Sequence, residues 1–315
     1  MEYRELGSTG LKVSRMCFGV LTVGPLQANM PVSMGAGVIR YALECGVNFM
    51  DTAQYYQTYP YIRHALKGYN GEALIASKSY AYTREMMREA VEEAQRELNR
   101  DVIDIFLLHE QESALTIKGH WEAYEYLLEC KQKGIIRAAG ISTHTVAGVR
   151  AAAEIPDIDV IHPLYNINGL GIADGTVTEM GEAIADAARA GKGIYGMKSL
   201  GGGNLLTDFE QAFAFVLENN NLDSIAVGMQ TKEEVDVNTR LFSGQKVPDT
   251  LKQKVSSIPR RLHIESWCTG CGKCCERCSS GAIHVVDGRA EVNRDVCCLC
   301  GYCSPVCKEF CIKVI

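Results

Sequence analysis

Eleven of the fourteen cysteines lie between Cys268 and Cys311, and the other three, Cys17, Cys45 and Cys130, are scattered before them. One spacing occurs twice in that stretch: Cys268, Cys271, Cys274 and Cys278, then Cys297, Cys300, Cys303 and Cys307, each reading C-x2-C-x2-C-x3-C. The tight part of the run lets one loop wrap three thiolates around a cubane corner. Paired C-x2-C motifs also build zinc sites, but a zinc module needs four ligands per site and rarely repeats an x2-x2-x3 run. A disulfide framework fits less well, because no secretory signal opens the chain and adjacent thiols such as Cys274 and Cys275 suit cluster loops better.

The run resembles that of the bacterial ferredoxins, in which the fourth cysteine of each run ligates the other cluster. That resemblance implies two [4Fe–4S] clusters, the first on Cys268, Cys271, Cys274 and Cys307, the second on Cys297, Cys300, Cys303 and Cys278. Cys275, Cys298 and Cys311 are left without a ligand role. The proline that usually follows the fourth cysteine is Ser279 in one copy and Lys308 in the other.

The residues before this stretch alternate short β-branched runs with helix-length amphipathic segments, the pattern of βα units around a parallel sheet. Strands are expected at 15–19, 47–53, 74–79, 103–109, 135–142, 160–165, 193–200 and 224–229. A helix is expected over 83–99, with Met86, Ala90, Val91, Ala94 and Leu98 on one stripe. Eight such units predict a (β/α)8 TIM barrel. A doubly wound open sheet lacks its best support, since no G-x-G-x-x-G follows the first strand. The barrel should occupy 1–243. A polar linker with two prolines and room for one short helix follows at 244–261. A small α+β ferredoxin-like domain should fill 262–315, with strands at 282–285 and 311–314.

Composition bounds the partners. The chain has 315 residues, 47% of them hydrophobic, and a formal net charge of −6, so a sizeable core is available and there is no basic footprint for nucleic acid. The charged N-terminus has no apolar leader and no run approaches a membrane span, so a cytoplasmic protein with no membrane partner is expected. Residues 262–315 carry six Lys and Arg against six Asp and Glu, which offers no strongly charged docking face for a ferredoxin or other electron donor.

In a barrel of this kind, chemistry sits at the carboxyl ends of the strands. That rule selects Asp51, Lys78, His109, the segment from Ser142 to His144, and the loop Gly201-Gly202-Gly203. Each has a bland reading alone. Asp51 could cap a helix, Lys78 could be a solvated charge, and a lone histidine more often satisfies a local hydrogen bond than performs catalysis.

The segments YRELGSTGLKVSRMCFG, NFMDTAQYY, LIASKS, VIDIFLLHE and KGIIRAAGIS, in that order, resemble the aldo/keto reductase family. The resemblance covers roughly the first 240 residues. It implies a (β/α)8 barrel that reduces aldehydes and ketones with a nicotinamide, with Asp51, Tyr56, Lys78 and His109 at the four catalytic positions. Tyr55 falls one residue short of the required spacing and is expected in the wall of the site. A carbonyl that accepts hydride also needs a proton, and a tyrosine with an ordinary pKa of about 10 is a poor acid at neutral pH. Lys78 is therefore expected to lower the Tyr56 pKa, Asp51 to hold the lysine, and His109 to bind the substrate oxygen.

The resemblance places a cofactor against Ser142, Thr143, His162, Met197, Gly201, Gly202, Gly228, Met229 and Asn238. It departs from the family where Met197 replaces a stacking tyrosine. It departs again where Gly228, Met229 and Glu234 stand in place of the cationic grip on a 2′-phosphate. NADP(H) is thereby disfavoured, while NAD(H), a flavin or the clusters alone remain as electron sources. The expected function is an iron–sulfur oxidoreductase acting on a small carbonyl compound. The alternative is an electron-transfer partner protein whose barrel is a docking scaffold.

Overall fold

The computed structural model describes residues 1–315. A hairpin of β1 (Tyr3–Glu5) and β2 (Lys12–Ser14) precedes eight parallel strands. These are β3 (Met16–Gly19), β4 (Phe49–Asp51), β5 (Leu74–Ser79), β6 (Ile103–Leu108), β7 (Ile136–Thr143), β8 (Val160–Pro163), β9 (Gly193–Gly196) and β10 (Ser224–Gly228). They form a closed barrel, with β10 returning to β3 in the register Ile225↔Met16. All eight expected strands are present, most of them a little shorter than the sequence suggests.

Side chains alternate across each strand. Cys17, Phe49, Leu74, Ala76, Ile105, Leu107, Ala138, Val160 and Tyr195 point inward and share the barrel interior with Leu6, Leu11 and Val13 of the hairpin. Met16, Phe18, Met50, Ile75, Phe106, Leu108, Ile141 and Ile161 point outward into the layer beneath the helices. The same alternation carries the inward ladder up to the mouth. Asp51 lies two residues past Phe49, Lys78 two past Ala76, His109 two past Leu107, and His162 two past Val160.

The helix Arg84–Leu98 starts where Thr83 accepts a hydrogen bond from the Met86 amide, and it buries Met87, Ala90, Val91, Ala94 and Leu98. Met86, expected on this stripe, is exposed. The steps from 87 to 90, 91, 94 and 98 keep to one face of a 3.6-residue helix, and position 86 lies off it.

After the barrel, a helix Asp249–Ser256 runs within the linker. Beyond it, β11 (Leu262–Ile264), β12 (Ile283–Val286), β13 (Arg289–Val292) and β14 (Ile312–Val314) make two antiparallel pairs, β11 with β14 and β12 with β13. Asp287 and Gly288 turn the second pair at φ 50° and 76°, the positive values a two-residue hairpin requires. The strands expected near 282–285 and 311–314 correspond to β12 and β14. β11 and β13 are three and four residues long, too short to leave a periodic signal.

This C-terminal unit packs on the barrel mouth. A Cβ at Gly203, whose φ is +87°, would lie 2.0 Å from the Val314 carbonyl oxygen, so glycine is required where β14 crosses the loop after β9. The Asn204 side-chain amide donates to the Ile312 carbonyl at 3.1 Å. Phe310 is buried against Leu164 and Met197, just past the ends of β8 and β9.

Candidate active site

At the end of β5, Lys78 is almost fully buried. Its ammonium donates to both Asp51 carboxylate oxygens at 2.7 and 2.8 Å and to the Thr52 carbonyl at 2.8 Å. Asp51 also accepts from the Tyr195 hydroxyl at 3.0 Å and lies 3.7 Å from His162 Nε2. Lys78 and Asp51 are thus a buried ion pair whose remaining hydrogen-bonding capacity is met, the condition under which such a pair is tolerated.

Tyr56 is half-buried above this pair. Its hydroxyl is 3.5 Å from His109 Nε2, and Lys78 Nζ is 5.0 Å from its ring centroid. The ring of Tyr80 stacks on His109 at 4.2 Å and fixes the plane of the imidazole. Burial, with Lys78 and Lys198 nearby, pulls His109 well below the ordinary histidine range and keeps it neutral at pH 7. The expectation that Lys78 lowers the Tyr56 pKa does not hold for this arrangement. All three ammonium hydrogens go to Asp51 and Thr52, and burial, then Asp51, pushes the Tyr56 phenol well above 10. Tyr56 is therefore a neutral phenol, a proton donor by state and position.

The mouth opens into a cavity of about 820 Å³. Asp51, Tyr55, Tyr56, Tyr80, His109 and His162 line its floor, with Met197, Gly202, Gly228 and Asn238 further along. Four residues expected at a cofactor do not line it. The Ser142 hydroxyl accepts from the Glu110 amide of the loop after β6 at 2.9 Å, and the Thr143 hydroxyl accepts from the Thr145 amide of its own turn at 3.0 Å. Met229 is fully buried in the layer under the helices. Gly201, at φ +56°, packs against Leu170 and Leu205.

Glu234 stands where the resemblance places a 2′-phosphate, but it does not stand as an unpaired carboxylate. Instead it caps its own helix, accepting from the Gln230 amide at 2.6 Å, and pairs with Arg260 from the linker. Its charge is balanced, and the linker cation stands beside it.

The opposite wall comes from the C-terminal unit: Glu265, Trp267, Leu299, Cys300, Phe310 and Lys313 all face the cavity. Sequence reading missed Lys198 and Tyr195, and it named His144 only as the end of a segment. The signal for the first two was position, with Lys198 just past the end of β9 and Tyr195 on its inward-facing ladder. Lys198 directly follows Met197 in the chain.

The thiols fall into two groups. Cys268, Cys271, Cys274 and Cys307 border one cavity of about 180 Å³, together with Cys311. Cys303 is raised to about 11 by burial, with Cys300, Cys297 and Cys278 adding to the push. No three His, Cys, Asp or Glu side chains converge as a single metal ion would need. Backbone amides aim at thiol sulfurs: Ala290 at Cys268 at 3.4 Å, Cys311 at Cys307 at 3.2 Å, and Ala282 at Cys278 at 3.3 Å.

Fold and site define a (β/α)8 barrel enzyme with a buried lysine–carboxylate pair, a tyrosine and a histidine at its mouth. The family model described as Aldo/keto reductase family matches residues 15–246, and the chain belongs to that family. L-galactose dehydrogenase of Arabidopsis thaliana is 25% identical over 317 residues, spanning 86% of this chain and 98% of its own length. The aldo-keto reductase YhdN of Bacillus subtilis is 26% identical over 183 residues, 53% of this chain and 54% of YhdN, so the match spans about half of that relative. A solved aldo-keto reductase structure from Pseudomonas aeruginosa superposes with a TM-score of 0.67 at 26% identity, over 77% of this chain and 94% of that one. The cysteine runs lie beyond the residues that the family model covers.

Proposed function

We propose that this oxidoreductase reduces a small carbonyl compound at Tyr56, in a cavity roofed by a C-terminal ferredoxin-like domain that holds two [4Fe–4S] clusters. The observation that carries the reading is that Tyr56 and Cys300 line the same cavity. A scaffold barrel would need neither the buried Lys78–Asp51 pair nor a neutral tyrosine beside a neutral histidine.

The residues have distinct tasks. Tyr56 gives its proton to the oxygen that becomes the alcohol, and His109 Nε2 binds that oxygen as negative charge develops. Lys78 and Asp51 fix the floor, and Lys78 supplies the positive field under the phenol as it loses its proton. Cys268, Cys271, Cys274 and Cys307 would hold the first cluster and Cys297, Cys300, Cys303 and Cys278 the second. The thiols gathered around one void, the four proposed ligands with Cys311 beside them, and the amides directed at sulfur fit cubane corners better than one tetrahedral ion. Two such clusters, when bound, would supply one at a time the two electrons that a carbonyl requires, and since they carry no hydride the carbon takes a second proton from solvent water while Tyr56 protonates the oxygen.

A second reading, with a nicotinamide as donor, is favoured by family membership and by the length of the cavity toward Gly228, Asn238 and Arg260. The test is Tyr56→Phe in the cluster-loaded chain under anaerobic conditions. Loss of carbonyl reduction with intact clusters is expected; undiminished reduction would return the barrel to the role of a docking scaffold.

A further inference from the structure

Two lysines project into the cavity beside the proposed catalytic residues, and the tyrosine–histidine chemistry uses neither. Lys198 follows β9 at φ 59°, a left-handed conformation that a side chain other than glycine adopts at some cost. It leads the ammonium across the mouth to donate to His144 Nε2 at 2.9 Å. Lys313 on β14 is 4% exposed and donates only to the Phe310 carbonyl, at 2.5 Å. Both ammoniums lie over the Phe310 ring, at 5.1 and 3.1 Å from its centroid.

The carboxylates that could neutralise them are held elsewhere. Asp51 is paired with Lys78 and Glu234 with Arg260. Glu110 accepts from the Tyr80 hydroxyl at 2.6 Å, Glu265 lies 3.3 Å from His263, and Glu309 is exposed at the rim. No carboxylate forms an ion pair with either ammonium: Glu110 and Glu265 act on them only through space. Burial, then Lys198, pulls Lys313 well below the ordinary lysine range, so an anion arriving between the two supplies the pairing that favours their charged forms. Burial pulls Lys198 down to about 8, which still leaves it mostly charged at neutral pH.

We propose that Lys198, seconded by Lys313, grips an oxyanion carried by the carbonyl substrate, so that the preferred substrate is an oxo acid or a phosphorylated aldehyde. This rests on the carbonyl-reductase reading above and names the substrate class for the same site. The oxyanion sits on the Phe310 side of the cavity while the carbonyl oxygen meets Tyr56 and His109.

The experiment uses the full chain with its clusters restored and two matched probe pairs. These are 2-carboxybenzaldehyde against benzaldehyde, and glyceraldehyde 3-phosphate against glyceraldehyde. Dissociation constants are measured by calorimetry, and kcat/KM is measured in parallel. The wild type should prefer the anionic member of at least one pair, and the pair that shows it tells carboxylate from phosphate. Lys198→Met should lower that preference by about 10- to 100-fold, the worth of one charge-assisted hydrogen bond. Lys198→Arg should keep most of it, and Lys313→Met should lower it in the same direction. The proposal is overturned if the wild type shows no preference or if Lys198→Met leaves it unchanged. It is also overturned if Lys198→Met weakens only NADH or NADPH binding, which would assign the lysine to cofactor phosphate. If no aldehyde is reduced at all, the carbonyl-reductase reading fails, while the calorimetric preference still decides whether the lysines bind the anion.

Discussion

Cys300, in the second cysteine run, and Tyr56, at the floor of the barrel mouth, face one cavity although 244 positions separate them in the chain. The barrel fixes Tyr56 through the turn after β4, and the C-terminal unit brings Cys300 to the opposite wall by docking β14 on the glycine loop. A redox centre held by the second run would therefore border the space in which a carbonyl sits over Tyr56.

The docking itself is open to test at Gly203. Replacement by valine would drive a side chain into the Val314 carbonyl and strain a backbone that is at φ +87°. Gly203→Val should loosen the C-terminal unit, so that limited proteolysis cuts within 244–261 faster than in the wild type. Equal cutting rates would show that β14 is not held there.

Asp51→Asn leaves Lys78 charged, buried and poorly paired. Breaking a buried ion pair on one side costs about 3–5 kcal/mol. Denaturant unfolding of the barrel should show a loss of that order, whereas a change within about 0.5 kcal/mol would mean that water reaches the lysine.

Among the thiols, ligands and bystanders should separate by iron content. Cys300→Ala should lose about half of the bound iron and acid-labile sulfide, as one of two clusters goes. Cys298→Ala should lose none, because the second ligand set does not include it. The reverse pattern would require a different ligand assignment.

His162 is fixed between Asp51 and the Tyr195 carbonyl, stacked on the Tyr195 ring at 3.8 Å, and burial lowers it to about 4. Its unfolded value is near 6.5, so between those values the unfolded chain takes up a proton that the folded chain refuses. Stability should fall as pH drops from about 6.5 to about 4, by up to about 3 kcal/mol from this residue. The difference between wild type and His162→Gln across that window isolates the effect from acid loss of the clusters. A flat difference would contradict the assignment.

The strands were legible because parallel strands buried on both faces leave short apolar runs between amphipathic helices, and their inward-facing ladder delivers Asp51, Lys78 and His109 to the mouth. The role of Lys78 was only half legible: sequence placed it near Tyr56 but could not show Asp51 and Thr52 taking all its hydrogens. Ser142 and Thr143 lie off the cavity lining for a similar reason, since the amide of Glu110 on the neighbouring loop engages the one hydroxyl and that of Thr145 the other, contacts that no spacing reveals. Lys198 was overlooked because a lysine in a loop is usually solvated; what marks it is φ 59° and its reach to His144. The apposition of the two units left no trace in periodicity. It depends on a contact between Gly203 and Val314, residues that are individually unremarkable in the chain.

The most direct test of the account joins the clusters to the carbonyl. The cluster-loaded protein is reduced with dithionite under anaerobic conditions, freed of excess reductant, and mixed with 2-carboxybenzaldehyde in the absence of nicotinamide while cluster absorbance and the alcohol product are followed. The account predicts cluster reoxidation with one alcohol formed per two electrons lost, slowed about 10²- to 10⁴-fold in Tyr56→Phe. Clusters that stay reduced beside the aldehyde, in a protein that reduces it readily with NADH, would contradict the claim that electrons cross the shared cavity.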